Sequence, residues 1–119
     1  MNSYQEALKS KMDSFVHFIY KITKNFPREE LYSSVSQIRR ASLSVILNYI
    51  EGYARNGNRS RIAFLDISYG SLMESDYLLS FAKDEQYIIN EDFIEAKKLS
   101  HEIGAMLYTE MCNLKRLQD

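Results

Sequence analysis

Residues 37–75 read QIRRASLSVILNYIEGYARNGNRSRIAFLDISYGSLMES, and their pattern decides the fold. The stretch holds two amphipathic helical patterns joined by a short turn of Arg, Asn and Gly. Asn48, Glu51, Gly52, Gly70, Ser71 and Glu74 fall inside the helical pattern. A helix held by apolar packing alone has no need of small and polar residues there, so each of them implies a partner. From Ala41 to Ile50 the pattern is apolar on more than one side. Such a helix lies either in the centre of a bundle or against another subunit.

Working outward, the first helix is expected from about Tyr4 to Asn25, with Asn2 or Ser3 as its cap. Leu8, Met12, Phe15, Ile19, Ile22 and Phe26 follow alternating steps of four and three, a heptad-like stripe. Pro27 ends it, because proline lacks the amide proton and restricts the residue before it. The second helix should start just after Pro27, with Glu29 and Glu30 in its first turn. Leu31, Val35, Ile38, Ser42, Val45, Tyr49 and Gly52 form its stripe, widened by Leu43, Ile46, Leu47, Ile50 and Tyr53. Asn56-Gly57-Asn58 ends it, with Gly57 as the left-handed residue. Ser60 then caps a third helix to about Lys83. A connection over Asp84–Ile89 leads to Asn90, a cap followed by Glu91 and Asp92. The fourth helix should carry Phe93, Ala96, Leu99, Ile103, Met106, Met111, Leu114 and Leu117 to the end of the chain. Four long helices with short connections make one all-α domain over residues 1–119, an antiparallel up-down-up-down four-helix bundle.

The composition agrees. One Pro and four Gly in 119 residues, with 45% hydrophobic and 26% charged residues, suit long helices in a globular chain. The net charge of −1 hides an asymmetry. Residues 1–61 hold ten Lys and Arg against five Asp and Glu, whereas residues 62–119 hold five against eleven. The two halves suit mutual attraction, within one molecule or between subunits, or they are solvated helix faces. The single Cys112 excludes an intrachain disulfide and is expected to be buried. The first fifteen residues lack the apolar core of a signal peptide, and no run approaches a membrane span. The expected location is therefore the cytoplasm, with no membrane partner.

No reaction chemistry is legible. The glycines Gly52, Gly57, Gly70 and Gly104 are scattered and form no phosphate loop. His17 and His101 lack metal-ligand partners at helical spacing, so no metal and no cofactor is expected. Glu51 and Glu74 lie on otherwise apolar faces of helices two and three. Two buried carboxylates there would suit acid–base work by splitting their pKa values. The favoured reading is a structural polar network of Asn48, Glu51 and Glu74, with arginines such as Arg39, Arg40 or Arg55 as partners. The candidate binding residues are Arg39 and Arg40 in helix two and Arg55, Arg59 and Arg61 around the following turn. Arginine beside an aromatic residue such as Tyr53 suits phosphate contact and base stacking. The same arginines also suit helix-end charges and intersubunit salt bridges.

Gln37, Ile38, Arg39, Arg40, Ala41, Ser44, Asn48, Glu51, Gly52 and Arg55, followed by Phe64, Leu65, Gly70, Ser71 and Glu74, carry a resemblance. In order and spacing they resemble the small four-helix-bundle proteins encoded in intervening sequences of bacterial 23S ribosomal RNA genes. Tyr49-Ile50 and Asp84-Glu85-Gln86 depart from that pattern, which more often has small or aliphatic residues at the first place and a glycine at the second. The resemblance implies a homo-oligomer, a ring of five subunits. That family is similar to accessory proteins of diversity-generating retroelements, whose rings bind nucleic acid and a reverse transcriptase. The expectation is a non-enzymatic homopentamer that binds RNA or DNA weakly through the five arginines and, by the same analogy, takes a protein partner such as a reverse transcriptase. The rival reading is a protein-interaction adaptor that binds no nucleic acid.

Overall fold

The sequence signals at the start of the chain form as expected. In α1 (Ser3–Thr23) the Asn2 side chain accepts the Gln5 amide at 2.8 Å, and the Gln5 side chain accepts the Asn2 amide at 3.0 Å. This reciprocal pair satisfies two of the donors that every helix start leaves open. The computed structural model describes residues 1–118, and their remaining helices are α2 (Ser36–Tyr53), α3 (Asn58–Asp84) and α4 (Asn90–Gln118).

The chain between α1 and α2 differs from expectation. Pro27 leads into a 3-10 turn, Arg28–Glu30, and a wide helical turn, Leu31–Val35, before regular helix resumes at Ser36. Ser33 leaves helical angles, with φ −123° and ψ −109°. The Glu30 carboxylate accepts the Ser34 hydroxyl at 2.6 Å across this segment. Leu31, placed on the core stripe by its spacing, is therefore exposed, while Val35 is buried with Phe26 and Ala82.

Gly57 takes φ 99° at the turn into α3, which begins at Asn58, two residues ahead of the expected Ser60. At the far end of α3 the positive φ falls on Gln86 (63°). The Tyr87 amide there donates to the Ala82 carbonyl at 2.8 Å and the Gln86 amide to Lys83 at 3.0 Å. This is the Schellman arrangement, and Tyr87 packs beside Phe26 and Ala82 as its apolar contact. Asn90, expected as a cap, is the first residue of α4, and its side chain accepts the Lys83 ammonium at 2.8 Å.

Each helix packs against two antiparallel neighbours, α1 on α2 and α4, and α3 on α2 and α4. The bundle measures 47 × 24 × 19 Å. Leu8, Met12, Phe15 and Ile19 of α1 meet Ile38, Val45 and Tyr49 of α2, Leu65, Leu72 and Leu79 of α3, and Ile103 and Leu107 of α4 in one core. Buried serines lie within it, each with an acceptor: Ser68 donates to the Val45 carbonyl at 2.6 Å, and Ser75 to the Ser71 carbonyl at 2.9 Å. Among the described residues no buried side-chain polar atom lacks a partner, as a close-packed interior requires. Cys112, expected to be buried, is partly exposed on the flank of α4.

Helices α2 and α3 pack closely at Gly52. A Cβ built there would lie 2.8 Å from Leu65 Cδ1, 3.2 Å from Phe64 Cβ and 3.3 Å from the Arg61 carbonyl. The contact leaves no room for a side chain.

Two stability measurements follow from this geometry. Gly52→Leu must push α2 and α3 apart and should cost about 1–3 kcal/mol in chemical denaturation; an unchanged midpoint would remove Gly52 from the contact. Gln86→Gly relieves a left-handed non-glycine residue and should raise stability by about 0.5–1 kcal/mol.

Candidate functional site

The five arginines separate into two groups. Arg39 and Arg40 lie near the start of α2, whereas Arg55, Arg59 and Arg61 surround the turn after it. Sixteen residues of mostly helical chain, about 24 Å at 1.5 Å per residue, separate Arg39 from Arg55. One bundle therefore presents a basic feature at each end of α2.

Most of these guanidinium groups already have partners. Arg39 donates through Nε to Thr23 Oγ1 at 2.9 Å and stacks 4.7 Å from the centre of the Tyr20 ring. Arg61 donates to the Gly52 carbonyl at 3.2 Å and the Arg55 carbonyl at 3.1 Å, and lies 4.5 Å from the centre of the Tyr53 ring. It thus ties off the open carbonyls at the end of α2. Arg55 pairs with Glu51 one turn earlier and lies over Phe64. Arg40 and Arg59 are exposed. Neither has a carboxylate within salt-bridge distance among the described residues.

Beside Arg39 and Arg40 lies a shallow cleft of about 460 Å³, walled by Tyr20, Leu31, Tyr32 and Leu43. Tyr32 is 92% exposed. An exposed aromatic ring next to free guanidinium is the combination on which an unstacked base can lie. The sequence reading missed Tyr32, because a helical stripe through residues 31–38 hides the irregular turn that turns this ring outward.

Asn48, Glu51 and Glu74 do not meet in one network. Asn48 donates to the carbonyl and the hydroxyl of Ser44, both at 2.9 Å, and Ser44 pairs with Ser71 across the α2–α3 seam at 2.8 Å. Glu51 is half exposed with Arg55 as its partner, and Glu74 is exposed. Glu74 lines a surface recess with Gln37, Arg40, Ser44 and Ser71. The two carboxylates therefore lack the burial expected of an acid–base pair. The expectation of a buried pair fails because the apolar faces around them point outward.

That outward face is the most prominent surface feature. Leu43, Leu47 and Ile50 form an exposed stripe on α2, with Leu47 53% exposed. Ile67, Met73 and Tyr77 are exposed on α3, with Gly70 among them and open space where its side chain would be.

The buried carboxylate is a different residue, Glu110 of α4, at 6% exposure. It accepts the Tyr49 hydroxyl at 2.5 Å and is also bonded to the Tyr53 hydroxyl. Gln5 donates to Tyr53 at 3.2 Å. Burial pushes the Glu110 carboxyl above the usual carboxylate range, opposed by the hydrogen bonds from Tyr49 and Gln5. Burial, followed by the bond to Glu110, raises the Tyr49 phenol. A sequence signal existed: Ile103, Leu107, Glu110 and Leu114 keep the steps of four, three and four, which places a glutamate on the core stripe.

A second polar cluster joins α3 to α4. Asp76 accepts Lys97 at 2.8 Å and the buried Ser100 hydroxyl at 3.0 Å, with His101 3.5 Å away. His17 faces Asp13 on the surface of α1. Among the described residues no three His, Cys, Asp or Glu side chains are grouped to hold a metal ion. No described helix is long and apolar enough to cross a membrane.

Comparison with known proteins gives a family and similar solved structures. A family model described as the 23S rRNA-intervening sequence protein matches residues 5–109. A crystal structure of a protein of unknown function from the S23 ribosomal protein family of Bacteroides thetaiotaomicron is similar, with a TM-score of 0.84 and 23% identity over 91% of this chain and 97% of that one. At that identity the likeness carries the fold. No curated protein matches the chain.

The raised Glu110 pKa makes a signed prediction. A carboxyl whose folded pKa lies above its unfolded value is most favourable while protonated, below about 4.3. Its contribution is lost as pH rises through the raised folded value. Glu110→Gln keeps the shape and removes the charge. The melting temperature of this variant should therefore gain on the wild type as pH rises from about 4.5 to 7. A constant difference across that range would place the Glu110 pKa at its ordinary value.

Proposed function

This chain belongs to the 23S rRNA-intervening sequence protein family, and we propose that it works as a self-associating, non-enzymatic bundle whose arginine-bearing ends contact nucleic acid. The exposed apolar stripe of α2 carries the first half of this reading. Leu43, Leu47 and Ile50 follow one helix face, and exposed Ile67, Met73 and Tyr77 run along the antiparallel neighbour. An exposed apolar helix face of this kind marks an interaction site in a chain that otherwise buries its core well.

A second copy of the chain is the occupant. The basic first half and acidic second half complement each other between copies. Gly70 supports the same partner. A glycine inside a helix costs about 0.5–1 kcal/mol relative to alanine, and among the described residues nothing lies within 4 Å of where its side chain would start. Close approach of a neighbouring backbone accounts for it. In a head-to-tail contact, the α2 stripe of one copy lies on the α3 stripe of the next. Such contacts close into a ring when the rotation permits, and the family resemblance implies five subunits.

Nucleic-acid contact rests on Arg40, Arg59 and the Tyr32 ring, which are exposed and uncommitted within the chain. Each contact alone is weak. Repetition around a ring converts several weak contacts into measurable affinity. Arg39, Arg55 and Arg61 hold the ends of α2 and position their neighbours.

Both halves are testable. Leu47→Asp should reduce the mass in light scattering to that of one chain while leaving the helical circular-dichroism spectrum intact. An unchanged assembly would move the interface elsewhere. For the second half, the affinity for a structured RNA should fall steeply with salt. Arg40→Ala with Arg59→Ala should then flatten the salt slope by about one unit or more per subunit pair engaged. An assembly indifferent to RNA at low salt would favour the adaptor reading.

A further inference from the structure

Glu110 poses a problem that the proposed assembly does not solve. It is an almost fully buried carboxylate without a cation: among the described residues no Lys, Arg or His lies within salt-bridge distance. Arg61 lies over the neighbouring Tyr53 ring, yet its donors go to the Gly52 and Arg55 carbonyls. Buried charges are normally paired, because desolvation costs more than neutral hydrogen bonds return. A glutamine would fill the same space without that cost.

The carboxylate also lines a cleft. Where the start of α1 meets the ends of α2 and α4, a recess of about 290 Å³ has Tyr4, Gln5, Tyr53, Thr109, Glu110 and Asn113 in its wall. Tyr4, Thr109 and Asn113 are exposed and form its mouth, while Glu110 lies at its base. Every lining group other than Glu110 is neutral. The Tyr53 and Thr109 hydroxyls can each accept a hydrogen bond, whereas the Asn113 amide oxygen already accepts Arg116 at the mouth. The Tyr4 hydroxyl donates to the Met106 carbonyl at 2.9 Å, which leaves its lone pairs and its ring available.

One negative charge at the base, neutral acceptors around it and the Tyr4 ring at the side select a compact organic cation. An ammonium group has three donors and no acceptor, and aromatic faces attract it further. We propose that this cleft binds a small primary amine in its protonated form, which supplies the counter-charge that Glu110 lacks. The volume is that of a small-molecule site at the lower end of the usual range. It admits a short alkyl amine or diamine with its ammonium on Glu110 and its alkyl stem along Leu114 and Leu117, which also line the cleft.

The test is a titration of the full chain, labelled with nitrogen-15, with 1,4-diaminobutane. Sodium chloride at matched ionic strength and uncharged butane-1,4-diol serve as controls. Saturable shifts are expected at Gln5, Tyr53, Thr109 and Glu110, with a dissociation constant of about 1 mM and no response to either control. Glu110→Gln should weaken binding at least ~10-fold. Asn113→Lys places a tethered ammonium three residues along the same helix face, and it should block the cleft with the carboxylate still present. This second variant decides the matter if Glu110→Gln fails to fold. Shifts that never saturate, that spread instead over the acidic residues Glu91, Asp92 and Glu95, or that persist in both variants would overturn the proposal.

Discussion

The close crossing of α2 and α3 is the constraint on which the rest of the structure depends. At Gly52 the Leu65 and Phe64 side chains fill the space a β-carbon would take, and Ser68 reaches the Val45 carbonyl. Ser44 and Ser71 close the seam from the outer side. Small residues and short hydrogen bonds fix one register between the two helices, since a larger side chain at any of these points forces them apart. That register forms the surface recess of Gln37, Arg40, Ser44, Ser71 and Glu74 along the α2–α3 seam. It also places the turn with Arg55, Arg59 and Arg61 at one end of the bundle. The seam is therefore both core and scaffold for the surface.

Much of this was legible in the sequence, for reasons that can be given residue by residue. The α1 stripe from Leu8 to Phe26 is buried as its spacing implies, because a core-facing helix has a single periodicity to satisfy. Pro27 and Gly57 mark breaks because their backbone restrictions act locally, whatever surrounds them. The segment 28–35 was not legible. Its apolar spacing is compatible with regular helix, whereas Val35 at the end of the wide turn packs with Phe26 and with Ala82, a residue distant in sequence. Gln86 likewise takes a conformation that glycine usually takes, held by the contacts of Tyr87.

The polar residues were harder to interpret than the apolar ones. Glu51 and Glu74 sit within apolar patterns, and the natural expectation is burial. The pattern there belongs to an outward face, so both carboxylates are solvated. Glu110 sits in a pattern of the same kind and is buried, because its stripe faces Tyr49 and Tyr53. Periodicity identifies a face but does not say whether the protein's own chain or something else covers it. For the arginines, the chain brings Arg55, Arg59 and Arg61 together and holds Arg39 and Arg40 a helix length away. A cluster in sequence becomes two sites in space.

The central claim is that a second copy covers the outer face of α2 and α3. It is tested most directly by incorporating a photo-crosslinking residue at position 47 and mapping the crosslinked peptides by mass spectrometry. The account predicts covalent dimers whose crosslinks join position 47 of one copy to α3 residues near Gly70 of another. Recovery of monomer alone at concentrations where the wild type is studied, or crosslinks confined to one chain, would contradict it.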